Sequence, residues 1–434
     1  MKKSYIILLG FLLFMMACSE DLEQSPPNIA SSNSLTDFEG VLNAAYFYMH
    51  GTATPMAVMG DFRADNAYMD ETPYDEFDRF GPNLTVMNSQ FFGPFYTAAY
   101  RAILSANSVI DNSTDATEVG EAKFLRALAY FKLVRVFGAV PVNLQSTPSP
   151  TDETILQRQQ AASVYSSVII PDLQDAISAL GTNIVDGRAS KYAAQGMLGK
   201  VYAQLGDFGN AATQLAAVVS GAGAAGISLQ DDFANIFGEA NDLNSEIIFA
   251  IQMSGSISDQ YGFSEFWSWS GGLDTKSLRP LDQDLVAAFD ASPGDLRRAV
   301  SIDTTTMASP KFPQTGGPEH DWIELRLADV ILLYAEALNE TGNLNGALTE
   351  LNKIRTRAGL ADSAAGSQAE LRQAIQDERR LEMAFEGQRW FDLVRTGTVN
   401  AEMGESVDPR YHLFPIPVTE VLASFGVITQ NDGY

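Results

Sequence analysis

The sequence predicts a mainly α-helical superhelix of stacked helix hairpins with irregular loop insertions. Apolar residues recur at three-to-four spacing over most of the chain. Two segments repeat one helix–turn–helix layout in register, and the stretches between them lose that period and fill with Gly, Ser, Pro, Asp and aromatic residues. With 46% hydrophobic residues in a chain of 434, a substantial core is available.

The first helix is expected from Leu35, with Phe38, Val41, Leu42, Ala45, Tyr46 and Met49 on one stripe and Thr36, Asp37 and Glu39 supplying capping chemistry. The same period covers 91–110, 121–137, 164–180 and the chain from Tyr192 onward. Leu198-Gly199-x-x-Tyr202-x-x-x-Gly206-Asp207-Phe208-x-x-Ala211-x-x-x-Leu215 fits the tetratricopeptide pattern. Gly199 and Ala211 let two helices approach, and Gly206-Asp207 turns the chain. The layout returns as Ala335-x-x-Leu338-x-x-x-Gly342-Asn343-Leu344-x-x-Ala347-x-x-x-Leu351. Segments 91–137 and 370–395 supply further hairpins, as a stack of this kind needs at least about three to bury its faces.

At the N-terminus Lys2 and Lys3 precede an apolar run from Tyr5 to Met16, and Ala17 precedes Cys18, the only cysteine. This is the layout of a secretory signal peptide over 1–17, with Cys18 placed for lipidation. Residues 18–34, rich in Pro, Asn and Ser, read as a tether, and 35–434 as one domain with loop insertions near 61–83 and 254–280. A net charge of −26 argues against nucleic acid and against polyanionic ligands, and favours a neutral one.

The candidate binding residues lie in the insertions. Trp267 and Trp269 alternate in a Gly- and Ser-rich segment with Tyr261, and exposed rings there would stack on the C–H faces of sugars. The competing reading is a strand burying one aromatic face. Arg63, Asp65 and Asn66, followed by Tyr68 and Tyr74, form a second group able to hydrogen-bond hydroxyls, or else a capped turn. Glu378, Glu382 and Glu386 lie four apart on one expected helical stripe; they read as scaffold, with Arg355 and Arg357 as partners. Trp322 is expected to begin a helix and, like Trp390 and Leu393, to pack inward. His50, His320 and His412 stand far apart, and neither G-x-S-x-G, H-E-x-x-H nor a D-x-[DN]-x-[DN]-G calcium loop occurs, so no enzyme, cofactor or metal site is expected.

Longer motifs carry a resemblance. Leu325-Arg326-Leu327-Ala328-Asp329 through Ala337, Glu378-Arg379-Arg380-Leu381-Glu382 through Arg395, Leu413-Phe414-Pro415-Ile416-Pro417 and Gln430-Asn431-Asp432-Gly433-Tyr434 resemble the SusD/RagB family. So do Tyr96-x-x-x-Tyr100-x-x-Ile103-x-x-Ala106-Asn107 and the helix from Ala122 to Phe131, although the middle of the chain is shorter than in many members. The resemblance implies a surface-exposed, outer-membrane lipoprotein on a tetratricopeptide superhelix, lying as a lid over a SusC-like, TonB-dependent transporter. It further implies capture of a polysaccharide or oligosaccharide without cleavage, a β-glucan being the expected neutral polymer. A peptide-importing member and a surface glycoside hydrolase are the alternatives.

Overall fold

The computed structural model describes residues 37–69, 71–149, 152–253, 263–267, 280–312 and 320–434, without the Glu265 side chain. The signal peptide, Cys18 and the tether therefore lie outside the described residues, as do Tyr261 and Trp269. The first expected helix forms as α1 (Glu39–Met49), and Asp37 accepts the Glu39 N–H at 3.0 Å. Next come α2 (Ala53–Asp61) and the long antiparallel pair α3 (Phe92–Asn112) and α4 (Ala116–Phe137). Asp115 caps α4, accepting the Thr117 and Glu118 N–H groups. One turn of π-helix at Tyr165–Ile169 leads into α5 (Ile170–Ala179), where Pro171 has no N–H to give the regular ladder.

The two sequence repeats are hairpins. The first is α6 (Lys191–Gln204) with α7 (Phe208–Gly221), and the second is α8 (Leu327–Glu340) with α9 (Leu344–Arg357). Their turns match atom for atom. Gly206 (φ 71°) and Gly342 (φ 86°) take the left-handed conformation. Asp207 N–H then reaches back to Tyr202 O at 2.9 Å, and Asn343 N–H to Leu338 O at 2.8 Å. The side chains of the same two residues cap the next helices, accepting from Asn210 N at 3.2 Å and Gly346 N at 3.1 Å. A Cβ on Gly199 would stand 2.5 Å from Leu215, and Ala211 is fully buried, as the close hairpin requires. Packing is continuous: α3 on α4, α4 on α5, α5 on α6, α7 on α8, and α8 on α10 (Gln368–Glu382). Among the described residues no helix is long and apolar enough to cross a membrane.

Short strands are the main departure from the expected pattern. Val140–Pro141 (β1) pairs with Arg158–Gln159 (β2), and Ile247–Ile251 (β3) pairs antiparallel with Trp322–Arg326 (β4). Trp322 thus opens a strand, and the helix begins only at Leu327. Every residue of β3 and β4 is buried, so neither shows the alternation that marks a half-exposed strand.

The helix pair expected over 370–395 forms, but its break falls ahead of Glu386, which was expected on one helical stripe with Glu378 and Glu382. α10 stops at Glu382, Phe385 (φ 65°) and Gly387 (φ 67°) make a tight turn, and α11 (Arg389–Thr396) follows. Glu386 lies on that turn, off the helix, yet shares Arg326 with Glu382. Arg326 donates to Glu386 at 2.7 and 2.8 Å and to Glu382 and Glu246 at 2.6 and 2.9 Å. Arg297 meets Asp295, Glu378 and Glu382, and Lys311 meets Glu386 at 2.6 Å. Arg355 reaches Glu378 at 2.9 Å and Arg357 pairs with Glu246 and Glu382, so both expected partners are present. Five carboxylates and five cations close one knot, in which each charge is compensated.

Candidate functional site

The structure brings together the two segments singled out as insertions. Ala67 forms an antiparallel bridge with Leu281, and Tyr68 N–H donates to Pro280 O at 3.0 Å. Asp282 N–H donates to Asn66 O at 3.3 Å. At this meeting line Tyr68 is 40% exposed, and Thr72 and Arg79 are exposed beside it in sequence.

Beneath the rim, most of the candidate residues form its foundation. Trp267 ends a helical turn (Ser264–Trp267) and is fully buried, its indole stacked on Phe62 at 4.7 Å and 11° and tilted against Phe385 at 5.0 Å. The expectation of an exposed stacking ring is corrected for Trp267: its faces are already covered by aromatic carbon. Tyr74 is buried edge-on to Phe91 and Phe266, and its hydroxyl accepts from Gln90 at 2.8 Å.

Arg63 is likewise buried. Its guanidinium lies 4.5 Å from the Phe80 ring centre and donates to Phe77 O at 2.8 Å and Tyr411 O at 2.9 Å, tying this loop to the C-terminal segment. Burial would raise the Asp65 carboxyl, but bonds from Arg389 at 2.7 and 2.8 Å and the nearby Arg380 outweigh it and hold Asp65 below its ordinary value. Asn66 donates to Asp61 and accepts from Arg380. These polar groups are spent on partners within the fold, most of them far along the chain, so Arg63, Asp65, Asn66 and Tyr74 brace the loop as they stand here.

Asp78 and Asp282 escaped the sequence reading, because nothing in a run dense in carboxylates marks which will meet. Burial, then Asp282 and Glu405, lift Asp78 to about 6 against the pull of Arg63, and burial raises Asp282 as well. Half-buried carboxylates offer hydroxyl acceptors, and the exposed Tyr68 ring offers an apolar face, the chemistry that a sugar ring uses. Among the described residues no group of three or more His, Cys, Asp or Glu is arranged to hold a metal ion.

Comparison with known proteins agrees along the chain. A family model described as the SusD family matches residues 297–412, and one described as starch-binding associating with outer membrane matches residues 19–203. SusD-like protein P2 of Formosa agariphila is 27% identical over the whole of both chains. A solved SusD superfamily protein from Parabacteroides distasonis superposes with a TM-score of 0.78 at 21% identity, covering 94% of this chain and all of the other. A laminarin-binding SusD-like protein superposes with a TM-score of 0.73 at 25% identity, covering 92% of this chain and 99% of its own. Helical stack, signature motifs and full-length likeness converge, and the chain belongs to the SusD/RagB family.

Proposed function

We propose that this chain is a cell-surface lipoprotein that captures a neutral polysaccharide at the Tyr68 rim and passes it to a SusC-like, TonB-dependent transporter in the outer membrane. The observation that carries the reading is the meeting of the two insertions at Ala67 and Leu281, which leaves Tyr68 exposed above a braced foundation. A model described as starch-binding associating with outer membrane, and a laminarin-binding protein of the same fold, support glycan as the ligand class and a β-glucan as the first one to try. Tyr261 and Trp269, on the segment that returns at Pro280, are the proposed further stacking rings. Cys18 is the proposed lipid attachment point, the chain to 34 the tether and 35–434 the single binding domain; Cys18→Ala should release the protein from membranes.

Native electrophoresis through gels containing laminarin, starch or mannan tests the binding. Retention in one gel without release of reducing sugar is expected. Tyr68→Ala should weaken that retention several-fold, about 1 kcal/mol for one exposed ring, at an unchanged melting temperature. Migration unaltered in every gel would overturn the reading, and release of product would make the protein a hydrolase. Retention of peptides instead would make it a peptide-binding member of the family.

A further inference from the structure

A second concavity shares no lining residue with the Tyr68 rim. Glu39, Asn43 and Tyr46 on one face of α1, and His50 just after it, line this concavity, and Arg188 and Gln252 stand in its other walls, enclosing about 300 Å³. An adjoining cleft of about 310 Å³ continues along β3 toward Leu243 and Ser245, and Asp186 and Phe249 line both. The two adjoin across Asp186 and Phe249, each at the lower end of the range for small-molecule sites, about 300–1,000 Å³.

The walls are held before any ligand arrives. Arg188 donates to Glu121 at 2.7 Å and to Asn43 Oδ1 at 2.9 Å, and Tyr46 bridges Glu121 and the Ala189 N–H. At the saddle between the chambers Gln252 donates to Asp186 O at 2.8 Å. Only glycine permits this at position 187, where φ is 70° and a Cβ would lie 2.2 Å from the Gln252 amide nitrogen. Burial lowers the His50 pKa and keeps the ring neutral, and the ring is hydrogen-bonded to the backbone of Gln252. Among the described residues nothing bonds its buried Nδ1, which is left as an acceptor. Phe47 lies 5.3 Å from His50, ring centre to ring centre, and is 48% exposed.

Glu39 and Asp186 disfavour an anion, and among the described residues the one guanidinium in the wall, that of Arg188, is already paired to Glu121. Apolar floor, mixed donors and acceptors and two adjoining chambers suit a chain of neutral, hydroxyl-bearing rings. We propose that this groove is a second saccharide site, holding a linear neutral oligosaccharide along β3. The proposal rests on the reading of the chain as a glycan binder.

Calorimetry with laminarihexaose, maltohexaose, cellohexaose and mannohexaose tests it, on the wild type, on Tyr68→Ala and on the double variant Asn43→Ala/Gln252→Ala, whose two positions are exposed. One hexasaccharide is expected to fill two sites, of which the double variant loses one or binds at least about tenfold more weakly. A single site abolished by the double variant also supports the groove, and moves the principal site into it. Binding that the double variant leaves untouched overturns the groove while the Tyr68 reading stands. No binding of any hexasaccharide by a protein that gels still retain overturns the groove alone; no binding in either assay overturns both. An extended peptide whose binding the double variant abolishes would overturn the saccharide assignment.

Discussion

The repeat tier, α6 to α9, and the junction where α2 meets β4 and the 383–388 turn are joined by different means. In the tier the devices that shape each hairpin are near in sequence: a left-handed glycine, a cap three residues on, a small residue facing a leucine of the same hairpin. In the junction the partners are distant. Gly387 N–H donates to Asp61 at 2.6 Å, Arg326 binds Glu386, and a Cβ on Gly60 would lie 2.2 Å from the Gly387 backbone. Local devices tolerate local damage; a junction of interlocked backbones and shared charges does not.

The contrast breaks most visibly at Gly60. Gly60→Ala drives a methyl into main chain that has no rotamer to move, and should cost more than about 4–5 kcal/mol, read as loss of a cooperative thermal transition. Glu382→Gln comes next. Burial would raise this carboxyl, but Arg357, Arg326 and Arg297 outweigh it and hold it far below the ordinary carboxylate range. Removing its charge leaves buried cations uncompensated, an expected loss of about 3–5 kcal/mol in urea unfolding. A loss under about 1 kcal/mol would show that the knot is loose.

Two smaller changes sharpen the comparison. Asp207→Ala removes one cap within the tier and should cost about 1 kcal/mol, with α8 and α9 unaffected in hydrogen exchange. Asp78 works in the opposite direction. Its pKa of about 6 lies above the ordinary 3.8, so the folded state holds the proton more tightly than the unfolded chain does. Its contribution is intact below pH 3.8 and is lost as pH rises through about 6. Asp78→Asn should therefore match the wild type near pH 4 and exceed it at pH 8, on the order of 1 kcal/mol once solvent screening is allowed for. Equal melting at pH 8 would remove Asp78 from the list of strained groups.

What could be read in advance follows the same division. The hairpin pattern at Gly206-Asp207 and Gly342-Asn343 was legible because its causes lie within a few residues. The Glu378–Arg355 pair was legible from helix periodicity alone. Arg297, Lys311 and Glu246 entered the knot unannounced, since one charge among many carries no address for a partner far along the chain. Trp267 misled for a related reason: the Gly and Ser around it describe a loop, while Phe62, which covers the ring, lies on a remote element. The meeting of the two insertions at Ala67 and Leu281 was likewise a property of the fold.

Burying cations has a consequence for survival among proteases. At least ten Lys and Arg side chains among the described residues, Arg63, Lys132 and Arg326 among them, are buried. A trypsin-like protease needs such a side chain in its specificity pocket with several residues of extended backbone around it, so these bonds are open to cleavage only after local or global unfolding. Digestion of the native protein should thus leave long fragments, cut first at exposed sites such as Arg79, while the knot at Arg326 remains in one piece.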